Sequence, residues 1–192
     1  PIGWPNAHPM TWMINLLRLC GHGWRKQGNC SRREFLVIPL AGIIMAKYAS
    51  PHFTWAEVQD KESGKLPMDI GIPEDDILDF LQLLESIRGE WGHPINVSSF
   101  FRTPEHNARI SSTGLTGPHT GSQLTREGKK AFAVDVFTSG KMAKDFIHVA
   151  LSVELPEIGG INGIGIKGFG KHRNRYVHID NLAREASWTY PS

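Results

Sequence analysis

RYVHID, residues 175–180, is the stretch on which the reading of this chain turns. Read as a β-strand, it alternates faces, so Tyr176, His178 and Asp180 share one side while Val177 and Ile179 share the other. Such a strand lays an apolar face on a core and aims an imidazole and a carboxylate the opposite way. AFAVDVF, residues 131–137, has the same build: it alternates, is β-prone, and carries Asp135 between two valines. Two strands of this kind in one rigid sheet can point Asp135 and His178 at a common spot.

Outward from these strands the elements alternate irregularly. Ile77, Phe80, Leu81, Leu84 and Ile87 recur at helical spacing and predict a helix over residues 74–88, with Pro73 suited to its first turn, acids crowding its start and Gly89 suited to its stop. After the breakers Gly92 and Pro94, INVSSFF (95–101) reads as a strand. TPEHNARI (103–110) then reads as a short helix capped by Thr103, with Pro104 in its first turn. Residues 51–73 and 111–130 read as loops, 142–153 as a helix, and INGIGIKG (161–168) as a strand. Helices and strands mix without a βαβ rhythm, which predicts an α+β fold.

The 192 residues, 40% of them hydrophobic, suffice for one core with an appendage. The domain is expected over residues 51–192 and a docking or anchoring extension over 1–50, with a short helix around TWMINLLRL (11–19). A formal charge of +2 without a dense Lys/Arg stripe argues against nucleic-acid binding. Cys20 and Cys30 can close a short loop, but a single pair is no disulfide framework. No run reaches the roughly 18 apolar residues of a membrane span; LVIPLAGIIMA (36–46) is short and holds Pro39. SRREFL (31–36) resembles a twin-arginine export signal. Because the chain from Pro1 retains that segment, a cleaved leader is the lesser expectation and an apolar segment packed on a core or a neighbour the greater.

Three polar positions gain meaning together: Arg102 in SSFFRTPEHN, His119 in TGPHTGSQ with Asp135 beyond it, and the closing RYVHID. Singly, each has a plain explanation: a surface-loop histidine, a satisfied buried acid, a hydrogen-bonded strand histidine. Jointly, His119, Asp135 and His178 make the three-ligand set of a catalytic zinc site, which leaves its fourth position open.

SSFFRTPEHNARI resembles an SGYRSPEHN segment, TGPH followed by AVDV resembles the His and Asp of an H-x-x-G-x-A-x-D motif, and YVHID resembles a closing V-H-x-D. In these three motifs, over residues 52–182, the chain is similar to the D-alanyl-D-alanine carboxypeptidase-type zinc peptidases, which share their fold with the hedgehog signalling domain. That resemblance implies a small, mainly antiparallel sheet flanked by helices, and zinc held by His119, Asp135 and His178. It also implies that Arg102 grips a substrate carbonyl or carboxylate. Zinc lowers the pKa of its water to about 7 and polarises the scissile carbonyl, while a planar guanidinium stabilises the developing oxyanion. The expected partners are peptidoglycan stem peptides, and other phage particle proteins through residues 1–50. The expected setting is a phage virion or the host cell wall and periplasm, with a twin-arginine exported bacterial enzyme as the lesser alternative.

Two departures from the family pattern bear on the site. The motif separates its His and Asp by seven positions, whereas His119 and Asp135 are sixteen apart, so QLTREGKK (123–130) is expected to bulge out as an inserted surface loop. A rival alignment matches GSQ to the family's SQH, puts Leu124 at the ligand position, and leaves no metal site. Dipeptidase-type relatives carry Glu three residues before the final His, where this chain has Arg175. The proton acceptor then falls to Asp180 or His172, with Asp180 more suited to orienting a ligand. Glu105 and His106 are expected to brace their helix, and Tyr176 either to bond substrate or to fill the cleft rim. The competing reading is a non-catalytic phage virion or wall-binding module that retains the peptidase fold. A zinc-bearing signalling domain is the most distant reading.

Overall fold

The structure is a computed structural model that describes residues 47–191. In chain order the elements are α1 (Trp55–Val58), α2 (Glu74–Trp91), β1 (Val97–Ser99), α3 (Pro104–Ile110), β2 (Ala133–Phe137), α4 (Gly140–Ser152), β3 (Glu154–Leu155), β4 (Gly159–Gly160), β5 (Gly163–Lys167), β6 (Tyr176–Asp180) and β7 (Ala186–Thr189). The sheet runs β1-β2-β6-β5-β7, antiparallel throughout except for the parallel pair β5/β7. This is the expected α+β architecture with a mainly antiparallel sheet. The expected helix at 11–19, Cys20 and Cys30, the apolar run 36–46 and the twin-arginine segment lie outside the described residues. Among those described, no helix is long and apolar enough to cross a membrane.

Alternation along the central strands divides the sheet as the sequence requires. Val134, Val136, Ile164, Val177 and Ile179 are buried on one face, in one core with Ile77, Phe80, Leu84 and Ile87 of α2 and Phe146 and Ala150 of α4. The opposite face carries Asp135, His178 and Asp180. Beyond the strand ends, Asn181 locks the β2/β6 pairing: its Oδ1 accepts from Phe132 N at 2.8 Å and its own N–H donates to Phe132 O at 3.3 Å.

Helix α2 does not stop at Gly89. It runs to Trp91 and ends at Gly92, whose left-handed backbone (φ 72°) lets its N–H reach Arg88 O. A mid-helix glycine costs about 1 kcal/mol, and the extra turn offsets this by packing Trp91 on Phe146, ring centroids 5.0 Å apart. Pro73 is the residue before the first turn, and Glu74, Asp75 and Asp76 fill that turn. Strand β1 is shorter than expected, because Phe100 and Phe101 both turn into the core, which no alternating strand permits. Thr103 caps α3 as expected, its hydroxyl accepting from His106 N at 3.3 Å.

Residues 123–130 form a pinned hairpin-like turn that projects no free loop. Ala131 N donates to Gln123 O and Thr125 N to Lys129 O. Lys129 pairs with Asp79 at 2.6 Å and Lys130 N donates to Asp76 at 2.9 Å, so acids of α2 anchor the insertion.

Within residues 51–73, read from sequence as loop, lie α1, a 3-10 turn at Pro67–Ile70 and a buried acid. Asp60, fully shielded from solvent, accepts from Glu62 N, Ser63 N and Thr103 N at 2.7, 3.0 and 2.6 Å and faces His106 Nδ1 at 3.1 Å. Burial by itself would raise its pKa, but these donors hold it well below the usual carboxylate range. Asp60 thereby ties the α1 region to the start of α3, next to Arg102. Asp60→Ala strands these donors and should cost about 3–5 kcal/mol at neutral pH. The folded pKa lies below the unfolded value of about 3.9. The stabilisation is therefore present above about pH 4 and lost as pH falls below it. Denaturant unfolding of parent and variant should show their gap narrowing between about pH 4 and pH 2.

Candidate metal centre

Antiparallel pairing sets Asp135 of β2 directly opposite His178 of β6 on the face turned away from the core. His119 arrives from the 3-10 turn Pro118–Thr120, all three residues buried. Gly117 precedes that turn with φ 146°, and a Cβ there would stand 2.7 Å from Thr113 Oγ1, so only glycine fits. The turn is fixed from both sides: His119 Nδ1–H donates to Phe100 O at 2.6 Å, and His119 O accepts from Arg102 N at 2.8 Å.

Three atoms converge. His119 Nε2 and His178 Nδ1 are 3.2 Å apart, His178 Nδ1 and Asp135 Oδ1 2.9 Å, and His119 Nε2 and Asp135 Oδ1 3.3 Å. With Phe100 O taking the Nδ1 proton, His119 presents a lone pair at Nε2. His178 Nε2 faces Asp180 Oδ2 at 3.1 Å; with its proton there, His178 presents a lone pair at Nδ1. Two such lone pairs and an ionised oxygen at these separations repel unless a proton or a cation lies among them. Nitrogen and oxygen ligands at 2.0–2.2 Å in a tetrahedron lie about 3.3 Å from one another. The observed triangle therefore fits a small tetrahedral cation, and the His-Asp-His group is a buried set able to hold a metal.

The electrostatics follow from this crowding: in the absence of a cation, His178 is the group that favours the proton. Burial depresses the His119 pKa below the ordinary imidazole value, which favours the neutral ligand form. Burial also works against charge on His178, but its bonds to Asp135 and Asp180 outweigh it and raise the pKa. Asp135, which burial would push up, is held far below the carboxylate range, chiefly by His119.

Around the triangle stands a supporting layer. Arg102 donates from Nη2 to Asp135 Oδ2 at 2.6 Å and from Nε to Ser99 Oγ at 3.0 Å. Its Nη1 makes no hydrogen bond among the described residues, so that side of the fork is free. Asp180 is fully buried; besides His178 it accepts from Leu182 N at 3.1 Å and lies 3.6 Å from Arg184. Both its oxygens are engaged, as an orienting carboxylate requires. Trp188 of β7 lies against the His178 ring, centroids 5.1 Å apart.

Of the remaining residues the sequence points to, His172 is exposed on a 3-10 turn, its Nδ1 3.5 Å from Ser139 Oγ, and shares no hydrogen bond with the cluster. Tyr176 is half-buried on the cluster face, edge-on to Tyr190 at 5.3 Å. Glu105 is exposed and His106 faces Asp60, both away from the triangle. Leu124, the ligand position of the rival alignment, is 49% exposed and bridges to Lys130, so the geometry favours His119. Arg175 donates from Nε to Gly170 O, and no carboxylate takes its place.

Sequence reasoning missed Trp188, Tyr190 and Arg184 because no strand is evident beyond residue 181. One signal was present: Gly163 and Gly165 share a face of β5, and paired glycines on a strand mark room for something large. A Cβ at Gly165 would come within 2.8 Å of the Trp188 ring, and one at Gly163 would strike the Asp180 carboxylate. Gly163→Ala should therefore lower stability by about 1–3 kcal/mol, measured by thermal unfolding, whereas alanine at exposed Gly168, with open space around it, should change little.

A family model described as Peptidase M15 matches residues 51–180. No curated protein and no solved structure matches the chain. The matched stretch holds Arg102, the three converging residues and Asp180, and ends before β7.

Proposed function

Since the chain belongs to the peptidase M15 family, we propose that His119, Asp135 and His178 hold a zinc ion and that the protein hydrolyses peptide bonds of bacterial peptidoglycan. The observation that carries this reading is the triangle of His119 Nε2, Asp135 Oδ1 and His178 Nδ1, with edges of 2.9–3.3 Å. A zinc ion bound there supplies Lewis acidity, acidifying water and polarising a carbonyl.

The chain's own groups do the rest. Phe100 O and Asp180 fix the two imidazoles so that ligand lone pairs face inward. Arg102 holds Asp135 with Nη2 and keeps Nη1 for a substrate oxygen, a fixed positive charge placed where negative charge develops. A fork that serves both needs is a reason for arginine where lysine, with one point charge, would not do.

The peptidoglycan substrate and the setting, a phage lysin or virion enzyme whose residues 1–50 dock on other particle proteins, rest on the resemblance of the three motifs. A second reading draws on Arg175 at the position where relatives carry Glu: a wall-binding module that keeps the metal without hydrolysis.

Purified protein should carry about one zinc per chain and release peptide fragments from purified peptidoglycan. His178→Ala should abolish both tight zinc binding and digestion; a variant digesting as fast as the parent would sink the assignment. Zinc binding by a parent that leaves peptidoglycan intact would instead support the wall-binding module. Asp180→Ala should weaken zinc about 10–100-fold in a chelator competition.

A further inference from the structure

Next to the cross-strand row Asp135, His178 and Gly165 lies a second row of direct partners, Phe137, Tyr176 and Lys167. Its side chains emerge on the same face, two residues further along each strand. Phe137 is 44% exposed. Tyr176 is held by Tyr190, and Lys167 Nζ lies over the Tyr176 ring, 5.4 Å from its centroid. An aromatic ring leaves that ammonium its full charge, and among the described residues no carboxylate lies within 4.0 Å of it.

Behind this end of the sheet, on the side covered by α4, a cavity of about 350 Å³ is lined by Ala143, Ile147, Ile166 and Val177 together with Lys144 and Arg175, and by no acidic residue. On the cluster face the cation of this strand end is therefore Lys167, set against aromatic rings and, among the described residues, without a carboxylate partner. Arg102, the cation beside the cluster, is engaged with Asp135 and Ser99 and has only Nη1 left, for the substrate oxygen at the cluster. A second negative group on a substrate would have to find its partner elsewhere.

We propose that the row Phe137, Tyr176 and Lys167 is a subsite for a substrate carboxylate, with Lys167 as its cation and the two rings as its floor; this rests on the peptidase reading above. The distance sets the substrate class. One strand across and two residues along places Lys167 roughly 8 Å from His178, Cα to Cα. Two residues of extended peptide cover about 7 Å. The favoured substrates are peptides with a carboxylate about two residues from the scissile bond, either an acidic side chain or a free terminus.

The test uses two peptides identical but for glutamate or glutamine two residues from the cleaved bond, on either side of it. Each is assayed for cleavage, and for binding by calorimetry, with the zinc-loaded full chain and its Lys167→Met and Lys167→Arg variants. The parent should favour the glutamate peptide by about tenfold or more in KM and in Kd. Lys167→Met should bring that ratio near one, and Lys167→Arg should keep most of it. A lysine with only a structural part would lower binding of both peptides alike. A parent that binds or cleaves both equally, or binds neither, overturns the subsite, as does a preference that survives Lys167→Met. A parent that binds the glutamate peptide better but cleaves neither overturns the peptidase reading and leaves the subsite standing.

Discussion

The antiparallel register between β2 and β6 is the constraint from which the rest of the site follows. Asp135 faces His178 only while Val134 faces Ile179 and Val136 faces Val177. The same pairing thus aims the carboxylate and the imidazole together and fills the core behind them. A slip of one residue would turn valines to the cleft and the acid into the core, so burial of the apolar face enforces the geometry of the polar one. Asn181 fixes that register at the strand ends by exchanging hydrogen bonds with Phe132.

Convergence of three acceptors in a buried place runs against electrostatics, and much of the surrounding structure exists to hold them. Asp180 and Phe100 O take the outward protons of the imidazoles, Arg102 braces the far oxygen of Asp135, and Trp188 lies against His178. Gly163 and Gly165 make this possible by leaving space for the Asp180 carboxylate and the Trp188 ring. The glycines of β5 thus belong to the site although they bear no functional group.

The insertion between His119 and Asp135 shows how a longer connection still delivers both residues to one place. Both of its ends are fixed: Gln123 is bonded to Ala131, and Lys129 and Lys130 are held by Asp79 and Asp76 of α2. The extra residues form a turn on the helix, while the strand leaving it and the turn carrying His119 stay in place. Asp60 does a similar service on the other side, tying residues 60–63 to the cap of α3 beside Arg102.

What the sequence determined by itself is local and periodic. Alternation in RYVHID and AFAVDVF, helical spacing over 77–87 and the Thr103-Pro104 start predict elements that the structure contains, because each signal arises from neighbours a few residues apart. The choice of His119, Asp135 and His178 also came from the sequence, through motif order and ligand chemistry. Tertiary structure alone decided that these three atoms meet, that His172 stays outside, that α2 passes Gly89 to bury Trp91, and that β7 brings Trp188 to His178. Those outcomes depend on packing and pairing between segments dozens of residues apart, where the energy of a distant contact overrides the preference of the local chain.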